Sequence, residues 1–364
     1  MEDRTIGGTT ARNIGIYIHI PFCRRACFYC HFFKTPFNEE AARDYIEAVG
    51  IEAQLRADPQ ITADTLYIGG GSPSLLLPSL LDTLFRYIRG SFTIDPKAEI
   101  TVECNPEDVT LPLLNAYRSL GVNRLSIGTQ SFVQEDLDSL RRPHSVEQSV
   151  QAVELAQEVG FDNINIDYIL SIPGQTTHSL KKNLRMVAQL NVPHVSAYLL
   201  EGVREESEEE DERDAILYNL ARLELERMGL HHYEVSNFAK SGKRSRHNLK
   251  YWKNESYIGL GASASGFVAG RDYKNIDNLE KYLQSLHQGK RPESEIETQD
   301  LDTRAIVMGL RLLEGLPETA FNAPRHREAL DFLLSNNMLE RQGEQISVPP
   351  RNILLLNEIL AYFI

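Results

Sequence analysis

Six short β-prone runs alternate with longer amphipathic stretches between Ile14 and Tyr198. The runs lie near residues 14–19, 65–69, 98–103, 123–127, 163–168 and 194–199. The stretches between them place apolar residues at helical spacing, for example in Ala41–Leu55 and Val146–Val159. This alternation predicts repeated βα units, and therefore an α/β fold with a partial (β/α)6 TIM-like barrel. In such barrels the functional side chains lie at the carboxyl ends of the strands.

The length of the chain predicts more than one unit. Its 364 residues, 42% of them hydrophobic, are enough for a large core and a smaller appended one. We expect the barrel to occupy residues 12–238, a connecting segment residues 239–290 and a C-terminal domain residues 291–364. After about residue 297 the pattern becomes helical, and a hairpin around Gln342–Gly343 indicates a small winged-helix-like domain.

Charge and hydropathy narrow the partners that we expect. The net charge of −13 and the isoelectric point near 5.3 argue against a broad phosphate-binding surface, so nucleic acid is not expected. The chain contains no run of eighteen apolar residues, and its first residues do not resemble a signal peptide. These features predict a cytoplasmic protein without a membrane-spanning segment.

Three of the four cysteines, Cys23, Cys27 and Cys30, follow the first β-prone run with the spacing C-x3-C-x2-C. Three clustered thiolates favour a soft metal centre, and an iron–sulfur cube held by three cysteines keeps one iron open to another ligand. A structural zinc site is an alternative that needs a fourth ligand, for which His31 and His19 are nearby. A disulfide pair is a further alternative.

The sequence around these cysteines, YIHIPFC followed by FYCHFF, resembles the HemN/HemW branch of the radical S-adenosylmethionine (SAM) superfamily. The resemblance implies a [4Fe–4S] cluster on Cys23, Cys27 and Cys30, with SAM bound to the open iron. It extends over nearly the whole chain and is weakest around residues 200–213 and after residue 315.

Several strand ends match the family's SAM-binding segments, namely GGGSP, ECNP, SIGTQSF, RRPHS and NINID. Taken alone, each has an ordinary role as a tight turn, a solvated loop or a helix cap. The resemblance implies that the glycine turn holds the aminomethionine part of SAM, that Arg142 pairs a carboxylate and that Asp167 accepts the ribose hydroxyls. The SAM contacts that it implies are Tyr17, Tyr29, Gly70, Gly71, Ser72, Glu103, Gln130, Arg142 and Asp167.

The segment HNLKYW, residues 247–252, is similar to an HNxxYW block of the HemW side of the branch. The resemblance implies that His247 ligates haem iron and that Tyr251 and Trp252 offer flat apolar faces to the porphyrin. Asn248 belongs to the same block. Without the resemblance, a histidine beside aromatic residues is more often a hydrogen-bonded packing residue.

The branch implies two alternative functions. The first is a haem chaperone that binds haem, a [4Fe–4S] cluster and SAM and passes haem to an unidentified acceptor protein. The second is an oxygen-independent coproporphyrinogen III oxidase. The oxidase pattern has a fourth cysteine where this chain has Phe32, and relatives carry a longer segment where this chain has residues 203–213. These departures favour the chaperone and predict that the chain is not a coproporphyrinogen oxidase.

Ser265 replaces the histidine of the family's GAGAHS segment.

Overall fold

The computed structural model describes residues 12–200, 207–294 and 300–364. Besides two short strands at residues 22–23 and 35–36, the first part of these residues forms six longer strands, each followed by a helix, or by two helices after the fourth strand. The strands are β1 (Arg12–Ile20), β2 (Ile61–Gly70), β3 (Thr93–Cys104), β4 (Arg124–Gln130), β5 (Ile164–Leu170) and β6 (His194–Leu199). The helices are α1 (Glu39–Leu55), α2 (Pro78–Ser91), α3 (Leu111–Ser119), α4 (Gln134–Ser139), α5 (Val146–Glu158), α6 (Thr177–Leu190) and α7 (Glu208–Arg227). Each predicted strand overlaps one of the six.

The six strands lie side by side in chain order, and every neighbouring pair is parallel. All six therefore end at the same edge, as the alternation predicts. In strand β4 six of the seven residues are buried, as expected for a barrel strand with helices on its outer face and the barrel interior on the other. The predicted fold class, a partial (β/α)6 barrel with an appended C-terminal domain, is confirmed.

Side-chain caps fix the starts of several helices. Asn38 accepts a hydrogen bond from the backbone N–H of Ala41 at the start of α1. Ser145 and Gln148 form a reciprocal capping box at the start of α5. Each cap satisfies an N–H that has no partner within the helix, which is worth about 1 kcal/mol.

The chain after α7 extends the same sheet at both edges. Beyond β6 lie β7 (His231–Glu234) and β8 (Asn237–Ala239), both antiparallel to their neighbours. Beyond β1 lie β9 (Tyr257–Leu260), β10 (Ser265–Val268), β11 (Arg271–Asn275) and β12 (Glu293–Ser294), of which β9 is parallel to β1. Helices α8 (Arg246–Trp252) and α9 (Leu279–His287) complete this region. Residue 238 lies inside β8, and the proposed boundaries at 238/239 and 290/291 stay predictions.

The last described segment forms a smaller unit. It contains α10 (Leu301–Gly309), α11 (Pro324–Ser335), α12 (Leu356–Ala361) and the antiparallel strands β13 (Leu316–Pro317), β14 (Glu340–Gln342) and β15 (Gln345–Ser347). Strands β14 and β15 are the hairpin predicted around Gln342–Gly343. Arg304 of α10 joins this unit to the large sheet, because it lies 2.9 Å from Asp272 and its guanidinium covers the ring of Phe267. None of the described helices is both long and apolar enough to cross a membrane.

A fully buried carboxylate, that of Glu52 in α1, ties the added strands to the barrel. It accepts hydrogen bonds from Arg56 (2.9 Å), the N–H of Gly261 (2.8 Å), the amide of Asn275 (2.8 Å) and the hydroxyl of Tyr282 (2.7 Å). Four donors around one buried charge compensate for its lost hydration. Three of the donors, Gly261, Asn275 and Tyr282, come from segments outside α1, so this one side chain joins them to the helix.

We expect Glu52→Ala to lower the free energy of unfolding by about 3–5 kcal/mol, because Gly261, Asn275 and Tyr282 lose a shared buried acceptor and Arg56 keeps only part of its pairing, with Glu293 and Asn275. Urea denaturation followed by circular dichroism measures the change. Glu39→Ala is the matched control, since it removes only an exposed ion pair with Arg43 (3.3 Å) and is expected to change stability by less than about 1 kcal/mol. Equal midpoints for the two variants would contradict the role of Glu52.

Candidate functional site

A cavity of about 540 Å³ opens at the edge where the six parallel strands end. Its walls are the loop after β1 and the carboxyl ends of the following strands, which is where a barrel of this kind places its chemistry. All the residues predicted for the cluster and for SAM line this cavity, with the exception of Tyr17. They are Cys23, Cys27, Tyr29, Cys30, Gly70, Gly71, Ser72, Glu103, Gln130, Arg142 and Asp167.

The three cysteines lie on one loop that is fixed at both ends. Residues 22–23 pair in parallel with residues 35–36, and the N–H of Phe37 donates to the carbonyl of Cys23 at 2.9 Å. The cysteines are partly exposed, whereas Cys104 is buried and its pKa is raised by that burial. The loop therefore offers three accessible thiols, and Cys104 does not join them.

The donor set suits an iron–sulfur cluster in the number and type of its ligands. Each thiol faces the same cavity, and the hydroxyl of Ser72 lies 3.8 Å from the sulfur of Cys23. No three His, Cys, Asp or Glu side chains in the described ranges are close enough to form a finished metal site. Binding of a cluster would therefore draw the three sulfurs together, within a loop whose ends are already fixed.

His19, considered above as a zinc ligand, is occupied elsewhere. It is buried, and its two ring nitrogens lie 3.0 Å from the hydroxyl of Tyr17 and 2.8 Å from the carbonyl of Phe33. Burial lowers its pKa, so the ring is neutral at pH 7. Tyr17 therefore acts below the cavity wall, where it supports the histidine that holds the end of the cysteine loop.

Glycine is required at the turn after β2. Gly70 has a φ of +109°, and a β-carbon there would collide with the ring of His19. A β-carbon at Gly69 would lie 2.7 Å from the carboxyl carbon of Glu103. The N–H of Gly71 donates to the carbonyl of Ile20 (2.7 Å), which joins this turn to the start of the cysteine loop.

Glu103 is held by two donors at the cavity wall. The hydroxyl of Tyr67 donates to it at 2.8 Å and the N–H of Gly70 at 2.9 Å. Burial, together with the nearby charge of Asp167, raises the pKa of Glu103 to about 7. The side chain is therefore poised to change its charge near neutral pH and can receive a cationic group of a ligand.

Arg142 connects the cysteine loop to the end of β3. Its guanidinium lies 3.3 Å from the sulfur of Cys27 and donates to the side chain of Asn105 at 3.0 Å. Asn105 in turn donates to the hydroxyl of Ser72 at 2.7 Å. This arrangement leaves the Nε–H of Arg142 buried without a partner among the described residues, so the guanidinium has a donor available for a ligand.

Asp167 lies deeper along the same wall, at the end of β5. It accepts hydrogen bonds from Ser126 and Asn165, each at 3.0 Å, and burial raises its pKa. Gln130, at the end of β4, lines the same cavity with a φ of +61°, which is an uncommon conformation for a residue with a side chain. Asp167 thus supplies the acceptor, and Gln130 the amide, that a polyhydroxylated ligand needs.

The segment predicted to hold haem lies behind the cavity. His247 is 1% exposed, and its ring nitrogens lie 2.8 Å from the hydroxyls of Thr65 and Tyr251. Burial lowers its pKa to about 3, so the imidazole is neutral. The indole of Trp252 packs under the guanidinium of Arg311, at 5.4 Å. In this structure, His247 could coordinate a metal ion only after one of its two hydrogen bonds breaks.

Asn248, which belongs to the same block, and two arginines beside it are also engaged in the fold. The N–H of Asn248 donates to the hydroxyl of Ser245, the N-cap of α8. Arg244 lies 3.3 Å from Glu314, and Arg246 donates to the carbonyl of Lys97 at 2.8 Å. The structure thus keeps this segment together but does not bring it to the cavity that the cysteines line.

Comparison with known proteins places this arrangement in a family. Residues 17–187 match the radical SAM superfamily. A protein named heme chaperone HemW from Lactococcus lactis is 32% identical to this chain, and the match covers 96% of this chain and 96% of that protein. The protein of the same name from Escherichia coli is 30% identical, and the match covers 96% of this chain and 98% of that protein. This chain belongs to the HemN/HemW branch of the radical SAM superfamily. The Escherichia coli coproporphyrinogen III oxidase HemN has the same fold, with a TM-score of 0.85 at 23% identity over 97% of this chain and 90% of its own.

Tyr67 and Asn105 are among the residues of this cavity that sequence reasoning missed. Tyr67 lies two residues before Gly69 on the same face of β2, so the alternation of side chains along a strand was the available signal. Asn105 directly follows β3, and that position alone marks it as a cavity residue.

We expect Cys23→Ala, Cys27→Ala and Cys30→Ala, combined in one variant, to lose the broad iron–sulfur absorption after anaerobic reconstitution, because the thiolates are the only cluster ligands that the family resemblance implies. The iron and sulfide content of the variant should fall together with the absorption. Cys104→Ala is the control and should keep the cluster, since that thiol is buried. A full complement of iron and sulfide in the triple variant would contradict the assignment.

We expect the affinity for SAM to rise by roughly tenfold between pH 6 and pH 8, because Glu103, with its pKa of about 7, carries its negative charge only at the upper end. Isothermal calorimetry on the reconstituted protein measures this profile. Glu103→Gln should flatten it. The ligand's own amino group titrates in both proteins, so only the difference between the two profiles reports on Glu103, and parallel profiles would contradict its role.

Proposed function

We propose that this chain is a haem chaperone of the HemW type, which binds haem and delivers it to an acceptor protein. The observation that carries the proposal is the length of the similarity to the HemW proteins. It continues well past residue 187, where the match to the superfamily ends, and takes in the segment His247–Trp252 and the C-terminal unit. A shared radical SAM barrel alone would not explain that extent.

The cavity is the proposed site of the two cofactors. Cys23, Cys27 and Cys30 would hold a [4Fe–4S] cluster, and the cluster would supply an open iron for SAM. Arg142 keeps its free Nε–H for a carboxylate, and Asp167 is the acceptor for ribose hydroxyls. The glycine turn lets the backbone approach the aminomethionine part, and Glu103 attracts its positive charge. Tyr29 and Gln130 complete the wall.

Haem is the proposed cargo, held through the segment His247–Trp252. The neutral imidazole of His247 has the protonation state that ligates iron. Ligation exchanges one of two hydrogen bonds, each worth about 1 kcal/mol net, for an iron–nitrogen bond. Tyr251 packs edge-on against this imidazole at 5.1 Å, and Trp252 follows it in α8; both would offer apolar contact to the porphyrin.

The alternative function is the coproporphyrinogen III oxidase reaction. The likeness to HemN is a likeness of fold and does not decide between the two activities. Phe32 stands at the position of the oxidase's extra cysteine, exposed at the mouth of the cavity. Of the shortened segment 203–213, residues 203–206 lie outside the described ranges. Phe32 at this position therefore favours the haem chaperone over the oxidase.

We expect the purified, cluster-reconstituted protein to bind one haem and to convert no coproporphyrinogen III under anaerobic, reducing conditions with SAM present. Haem binding is followed by visible absorption, and the tetrapyrroles are separated by chromatography. A known coproporphyrinogen oxidase assayed in parallel shows that the conditions support turnover. Formation of protoporphyrinogen IX by this chain would favour the oxidase function over the chaperone function. Failure to bind haem would contradict the chaperone function.

His247→Ala tests the haem ligand within the same experiment. We expect at least a tenfold loss of haem affinity and a shifted Soret band, because the iron loses its imidazole. His287→Ala removes an exposed histidine of α9 and should bind haem like the wild type. Circular dichroism checks that both variants are folded. An unchanged Soret band and affinity in His247→Ala would assign this histidine to packing alone.

A further inference from the structure

Tyr67 contacts both proposed sites at once. Its ring stacks on the imidazole of His247, with centroids 5.2 Å apart and an interplanar angle of 28°. Its hydroxyl lines the cavity wall and donates to the carboxylate of Glu103 at 2.8 Å. A single side chain of β2 therefore lies between the segment proposed for haem and the cavity proposed for SAM.

His247 has two mutually exclusive arrangements. In the closed arrangement seen here, both ring nitrogens are hydrogen-bonded, to Thr65 and Tyr251. An iron ligand needs a free nitrogen lone pair and room for a porphyrin beside it, and neither exists around a ring that is 1% exposed. Ligation therefore requires the imidazole to leave at least one of these partners and α8 to shift away from the sheet.

The closed arrangement is held by charges as well as by the ring. Glu99 accepts hydrogen bonds from the N–H groups of Arg246 (3.2 Å) and His247 (3.0 Å), at the start of α8. Lys250, on the same helix, lies 2.9 Å from Asp64. These contacts anchor α8 to β2 and β3, so a shift of the helix that frees His247 would have to break them as well.

Movement of His247 changes the support of Glu103. The Tyr67 ring loses the imidazole stacked on it, and Tyr67 provides one of the two hydrogen bonds that orient the Glu103 carboxylate, the other coming from Gly70. A ligand that needs Glu103 in its present place thus favours the closed arrangement of His247. A ligand that needs His247 free favours the open arrangement.

We propose that SAM in the cavity and haem on His247 oppose each other through Tyr67, so that SAM binding promotes release of haem to the acceptor. This inference rests on the proposed function, because it needs haem to bind at His247. Linkage makes the effect reciprocal: SAM lowers the affinity for haem by the same factor by which haem lowers the affinity for SAM. The proposal gives SAM a role as an effector that does not depend on its cleavage.

The test measures the coupling factor directly. Ferric haem is titrated into cluster-reconstituted protein without reductant, first alone and then at a SAM concentration that calorimetry shows to be saturating. We expect the dissociation constant for haem to rise about tenfold with SAM, within the range common for allosteric coupling. The affinity for SAM, measured with and without haem, should change by the same factor.

Tyr67→Phe is the decisive variant, because it removes the hydroxyl that reaches Glu103 and keeps the ring that stacks on His247. We expect its coupling factor, which is the ratio of the haem dissociation constants measured with and without SAM on this same variant, to fall towards one. Tyr362→Phe, which changes an exposed tyrosine of the C-terminal unit, should keep the wild-type coupling. A stability effect alone would not lower the ratio of two affinities measured on the same variant.

The outcomes separate this inference from the function on which it rests. If the wild type binds no haem, the proposed function is wrong and the coupling falls with it. If the wild type binds haem but SAM fails to bind, leaves the haem affinity unchanged or increases it, the opposition is wrong while the chaperone remains. If Tyr67→Phe keeps the full coupling factor, Tyr67 is not the link.

Discussion

The parallel pairing of β1 on both of its sides is the constraint on which the rest of this structure depends. Tyr17 lies level with Tyr67 on one side and with Gly259 on the other. One neighbour is the next strand of the barrel, and the other is reached only after more than two hundred residues. Because all three strands run the same way, the cysteine loop after β1 emerges beside the glycine turn after β2.

The same strand also determines where α8 lies. Gly15 has no side chain on the face that α8 covers, and a β-carbon there would lie 2.9 Å from Lys250 and 3.3 Å from His247. The bare backbone lets the helix approach until His247 stacks on Tyr67. The proposed haem segment and the proposed SAM cavity thus lie on the same face of the sheet, one after the other along β2, and Tyr67 contacts both. This shared side chain is the physical path by which the two can communicate.

Local patterns in the sequence predicted the barrel well and the arrangement behind it poorly. The β-prone runs separated by amphipathic stretches predict the six parallel strands, and the cysteine spacing identifies the loop after the first of them. Strands such as β9 and β10 are only four residues long and contain glycine, so no periodicity reveals them, and the parallel pairing of β9 with β1 is a long-range event. Burial of His247 is equally invisible, since HNLKYW has the same letters whether its histidine faces solvent or the sheet. Tyr67 was missed because the neighbouring glycines carried the stronger signal.

The chain contains a single tryptophan, Trp252, whose position makes its intrinsic fluorescence a probe of this region. Trp252 ends α8, with the Arg311 guanidinium 5.4 Å above its ring and Tyr251 beside it at 6.3 Å. Its emission therefore comes from one known place, the junction between α8 and the C-terminal unit. A porphyrin absorbs where indole emits, so energy transfer to a bound haem would darken this single fluorophore, and a shift of α8 that wets the indole would move its emission to the red. Both events can be followed on a stopped-flow timescale in the unlabelled protein, without any engineered dye.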